Sequence, residues 1–61
     1  MDEVAIKLSS DEAKQLREVI EHEIGEMRVE RRRTDAEAYR RQVSERIQAF
    51  ENMLNKLKSA A

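Results

Sequence analysis

Apolar residues recur along this chain in two rhythms. Over residues 3–8, Glu-Val-Ala-Ile-Lys-Leu, they alternate, with Val4, Ile6 and Leu8 on one side and Ala5 and Lys7 on the other. A period of two predicts a half-buried strand. One short strand needs something to pair with, so the segment is a strand, an extended arm lying along the rest of the chain, or a disordered end. From Ala13 onward the rhythm changes to steps of three and four. One stripe runs through Ala13, Leu16, Val19, Ile20, Ile24 and Met27; a second runs through Ala36, Tyr39, Val43, Ile47, Phe50, Met53, Leu54 and Leu57. Each is the apolar face of an amphipathic helix.

The boundaries follow from polar residues at the ends of these stripes. Ser9 and Glu12 have capping-box spacing, and Asp11 and Glu12 suit the positive end of a helix dipole. Helix 1 is therefore expected over about 10–32. Gly25 lies inside it at a cost of about 1 kcal/mol relative to alanine, marking either a soft spot or a close helix crossing. Arg31, Arg32 and Arg33 are cations where a helix ends, and Thr34 with Glu37 has the spacing of a second capping box. Helix 2 is expected over about 35–58, fraying after Lys58. No Gly or Pro marks the turn, so one continuous helix of roughly fifty residues is the competing reading; a threonine hydroxyl serves a helix start better than a helix interior.

A short connection makes the two helices antiparallel neighbours. The predicted class is all-α: a two-helix hairpin that self-associates into a homodimeric four-helix bundle, with a short extended arm or strand at 3–8. The partner copy is required because a lone hairpin leaves much of each stripe wet, and a domain this small rarely supplies a sufficient core by itself. The residues expected to mediate self-association are Leu16, Ile20, Ile24 and Met27 on helix 1. On helix 2 they are Tyr39, Val43, Ile47, Phe50, Met53, Leu54 and Leu57. Arg46 interrupts the second row beside Ile47, placing an arginine at the margin of the seam.

Composition narrows the picture by exclusion. The 61 residues include no cysteine and one histidine, so disulfides, thiolate metal sites and a protein-built zinc site are not expected. No apolar run approaches the ~20 residues of a membrane span, and no signal-peptide core is present. Opening on Met1, the chain is expected to be a complete cytoplasmic product. His22 lies outside the main stripe between Glu18 and Glu26, and reads as a solvated side chain among acids. Serines occur only at 9, 10, 44 and 59, none with a base placed by local sequence, and there is no Gly-rich phosphate loop. Neither catalysis nor a cofactor is expected.

Charge is unevenly distributed. Residues 1–27 hold three basic and eight acidic residues, whereas residues 28–46 hold seven arginines and four acids. The turn should therefore be basic and the remote end of helix 1 acidic, with Arg28, Arg31, Arg32, Arg33, Arg40 and Arg41 as a candidate surface for an unidentified protein partner. The plainer account is helix-end complementarity plus local pairs, Glu37 with Arg41 and Arg41 with Glu45 at i, i+4. Against a nucleic-acid partner stand the net charge of −1 and the lack of stacking aromatics beside the arginines, apart from Tyr39 on the apolar stripe.

Two resemblances bear on this reading. Leu8-Ser9-Ser10-Asp11-Glu12-Ala13, Leu16, Met27-Arg28-Val29-Glu30, Thr34-Asp35, Tyr39-Arg40, Val43 and the tail from Leu54 to Leu57 resemble a group of small uncharacterised bacterial proteins. These read L-S-x-E-E-A, then L-R-x-E-I, then T-D-x-x-x-F-R, then a leucine-rich end. The resemblance spans nearly the whole chain, departs at Arg31 (apolar in the pattern) and at Tyr39 (Phe), and implies a helical hairpin; it carries no implication of an activity, since none is assigned to the group. More briefly, Val4-Ala5-Ile6-Lys7-Leu8-Ser9 before a helix is similar to the opening of ribbon-helix-helix DNA-binding regulators, whose strands pair across a dimer and enter the major groove. That likeness implies that Ala5 and Lys7 face DNA. It departs where that fold breaks its first helix after about a dozen residues. The function expected is a non-enzymatic interaction or structural module, with a DNA-binding regulator as the alternative.

Overall fold

A computed structural model describes residues 2–59. Two helices account for most of them: α1, Ser10–Arg33, and α2, Glu37–Ser59, joined by residues 34–36. They pack against each other as a hairpin with extents of 40 × 27 × 13 Å. Among the described residues the chain is all-α. Residues 2–9 contain no strand, so the strand or arm expected at 3–8 has no pairing partner within one chain.

The start of α1 follows the spacing of its polar residues. Ser9 is extended and its hydroxyl accepts from the Glu12 amide at 3.1 Å, while the Ser9 amide donates to Glu12 Oε1 at 2.9 Å. Both halves of the capping box are made. Hydrogen bonding of the Glu12 carboxylate to Ser9, first to its backbone amide and then to its side chain, holds that carboxyl below the usual carboxylate range. α1 then runs unbroken through Gly25, which is exposed and would meet nothing within 4 Å if it carried a Cβ. The close crossing is not there within this hairpin.

The turn differs from the expected second capping box. Thr34 is extended (φ −103°, ψ 140°) and caps the end of α1; its hydroxyl accepts from the Ala36 amide at 3.3 Å rather than from Glu37. α2 starts at Glu37, two residues later than expected, and its first backbone bond runs from the Arg40 amide to the Ala36 carbonyl at 2.9 Å. Ala36 therefore occupies the N-cap position. The reason is geometric. Antiparallel helices need about two to five linking residues to reverse the chain. A threonine already closing α1 leaves too few if it must also open α2. At the far end, α2 continues one residue past Lys58 to Ser59; the rest of the fraying expected there lies outside the described residues.

The core is a single seam. Ile20, Ile24 and Met27 of α1 meet Val43, Ile47 and Leu54 of α2, with Leu16, Phe50 and Leu57 partly buried against them. Six of the residues expected to mediate self-association are thus covered within one chain. The surface is nonetheless large. The accessible area is 5469 Å² for 7.2 kDa, against roughly 4,100 Å² for a globular monomer of that mass.

Candidate functional site

Two surfaces flank the seam, and cross-helix bonds identify which edges share a flank. On one flank the Tyr39 hydroxyl donates to the Glu30 carboxylate. At 3.6 residues per turn, Val19 lies three turns from Glu30 on the same edge of α1, and Met53 shares the edge of α2 with Tyr39. Val19, Tyr39 and Met53 are 57%, 40% and 43% exposed. They adjoin the partly buried Leu16, Phe50 and Leu57, forming an apolar margin beside the seam. Arg46 is exposed on the same edge of α2, close enough to act on the Tyr39 phenol. The bond to Glu30, chiefly, raises the Tyr39 pKa above its ordinary 10.0; desolvation and the Glu30 charge add to this, and Arg46 opposes it.

On the other flank the arginines are sorted. Arg28 is drawn up the hairpin, where Nη2 donates to Glu51 Oε2 at 2.9 Å. Arg31 continues the stripe of Ile20, Ile24 and Met27. It lies half-buried, its stem along the core edge, and Nη1 donates to Ser44 Oγ at 3.1 Å. Arg31 and Arg32 at the end of α1 face Glu37, Arg40, Arg41 and Ser44 of α2 across an open groove of about 510 Å³. Four of the six arginines expected at the tip thus meet in one place, and Arg28 and Arg33 lie outside it.

The local ion pairs expected for the tip do not form. Among the described residues the pairs within 4.0 Å are Arg28–Glu51 and, if His22 is protonated, His22–Glu26 at 3.8 Å. Arg41 is paired with neither Glu37 nor Glu45. Nor is the end of the hairpin away from the tip acidic, as helix 1 alone suggested. The fold brings the C-terminal turn of α2 beside it, and Lys56 lines a shallow surface with Asp2, Glu3 and Val4. The acids left in excess lie midway along α1, at Glu18, Glu21 and Glu23.

Ser44 and Val19 are the residues of these two flanks that were absent from the expected tip and self-association sets. Ser44 stands among polar neighbours, and only the approach of Arg31 gives it a role. Val19 was visible in the stripe, but its position at the margin depends on which side α2 packs. The described residues hold no group of three His, Cys, Asp or Glu side chains able to bind a metal, and no helix is long and apolar enough to cross a membrane. No family model matches the chain, and no curated protein or solved structure matches it either.

Proposed function

We propose that the protein is a non-enzymatic interaction module whose working form is a homodimer, two hairpins joined into a four-helix bundle. One observation carries this reading: the apolar margin of Val19, Tyr39 and Met53 beside Leu16, Phe50 and Leu57, contiguous with the seam and uncovered in a single chain. A second copy closing on that flank buries all six side chains and extends the core across both hairpins. The surface excess of about 1,300 Å² over a globular monomer is of the order that one partner gives up in a standard or larger interface, part of it belonging to residues 2–9. Charge suits the arrangement, because Arg46 on the α2 edge faces a partner whose α1 edge carries Glu23, Glu26 and Glu30.

Sedimentation equilibrium tests it. The expected result is a mass twice 7.2 kDa at micromolar concentration, falling to the monomer in Met53→Glu, whose side chain is exposed in the single chain. A stable helical monomer of the unaltered protein refutes the reading. The alternative, a DNA-binding regulator of the ribbon-helix-helix kind, draws support from the exposed Val4 and Ile6 and is opposed by the unbroken 24 residues of α1. It requires salt-dependent duplex binding that Lys7→Ala removes.

A further inference from the structure

The groove at the turn has a composition that folding does not explain. Of its four arginines only Arg31 has a hydrogen-bond partner, Ser44; Arg32, Arg40 and Arg41 have no carboxylate within 4.0 Å among the described residues. Acids for them lie close in sequence at Glu37 and Glu45, and the fold leaves them unused. Arg40 and Arg41 are also exposed. Helix-end complementarity accounts for Arg31 to Arg33 at the C-terminus of α1. It accounts for neither Arg40 nor Arg41, which stand in the first turns of α2, where the dipole is positive and cations are disfavoured.

We propose that this groove binds an acidic, extended segment of a protein partner. Guanidinium forks match carboxylates in a bidentate manner, and forks from two helices facing across one groove receive successive carboxylates from either side. Glu37, Arg40, Arg41 and Ser44 recur at i, i+3, i+4 and i+7 along one face of α2, a run of roughly 10 Å, which matches about three residues of extended chain at ~3.3 Å each. The mixed lining selects the ligand class. Glu37 repels a phosphate dianion about twice as strongly as a single carboxylate at the same distance and accepts from a peptide N–H, and the Ser44 hydroxyl suits a peptide carbonyl or carboxylate. Nucleic acid is disfavoured because no aromatic ring lines the groove, the Tyr39 phenol being bonded to Glu30 on the other flank. Ser44 and Tyr39 lie about 140° apart around α2, so a dimer formed through the Tyr39 edge leaves the groove open. The groove stands or falls independently of self-association.

Fluorescence anisotropy with a labelled octapeptide of alternating Asp and Glu tests the site on the full chain. The expected result is saturable, 1:1 binding per chain that weakens as salt rises. It should fall at least tenfold in the double variant Arg40→Ala/Arg41→Ala and be unchanged in Lys14→Ala/Arg17→Ala, which removes two cations elsewhere. Circular dichroism should show both variants as helical as the parent. The proposal is overturned if the octapeptide does not bind, or if Lys14→Ala/Arg17→Ala weakens binding equally. It is also overturned if Arg40→Lys/Arg41→Lys binds as well as the parent, which would mean that any cation suffices. Tighter binding of tripolyphosphate or duplex DNA than of the octapeptide overturns the assignment to an acidic peptide.

Discussion

Replacing Ala36 with serine should stabilise the hairpin, although nothing in the local sequence marks position 36 as a helix start. Ala36 is the N-cap of α2, its carbonyl already accepting from Arg40 and its own amide bonded to Thr34. The amides of Ala38 and Tyr39 have no side-chain acceptor among the described residues. A serine hydroxyl at position 36 reaches one of them, and exchanging alanine for serine at an N-cap is worth about 1 kcal/mol, within a range of about 0.5–2. For a domain of this size that is a rise of ~4–8 °C in Tm per kcal/mol. Two further variants frame the measurement. Thr34→Ala removes one long, exposed bond and should cost at most about 0.5 kcal/mol, whereas Ser9→Ala removes a complete capping box and should cost about 1 kcal/mol. Thermal melts followed at 222 nm, all at one protein concentration because self-association makes Tm concentration-dependent, would rank the three. If Thr34→Ala proves as costly as Ser9→Ala while Ala36→Ser does nothing, Thr34 is the true cap and the account of the turn is wrong.

Gly25→Ala should raise stability by ~0.8–1.0 kcal/mol, since the new methyl meets nothing within 4 Å; a loss in the same melts would place a neighbouring chain against Gly25. Ile47→Ala, at a side chain only 4% exposed, should cost ~2–5 kcal/mol, a large part of the roughly 3–9 kcal/mol expected for a chain of this length. Urea titration would register this as a lower midpoint, and an unchanged midpoint would mean that the seam is mispacked. Tyr39 is the sole tyrosine and there is no tryptophan, so its ionisation can be followed directly by ultraviolet absorbance. The midpoint should lie above 10.0 and return toward it in Glu30→Gln; an equal midpoint in both proteins would remove the Tyr39–Glu30 bond from the account. Because the folded-state value is the raised one, the contribution of this bond to stability is complete below the ordinary phenol value and is lost as pH rises through the folded one.

Local signals in the sequence determined the helices themselves. The period of three to four along Leu16, Ile20, Ile24 and Met27, and along Val43, Ile47, Phe50, Leu54 and Leu57, marks the faces that form the seam, because burial selects one side of a 3.6-residue turn. Ser9 and Glu12 placed the start of α1 to the residue, since a capping box is made entirely within four consecutive residues. Tertiary structure decided whatever depends on the second helix's position. A match to the capping-box spacing at Thr34 could not reveal that Thr34 closes α1 and that the chain needs Asp35 and Ala36 to turn back. The arginine run could not show that Arg28 is taken by Glu51, 23 residues away, or that Ser44 receives Arg31. The apparent acidity of the end away from the turn disappeared once Lys56 was folded beside Asp2 and Glu3. Periodicity and capping are interactions along one helix and are written in the order of residues. The division of the apolar stripes into a sealed seam and an open margin, and of the arginines into paired and unpaired, is set by the angle at which two helices meet.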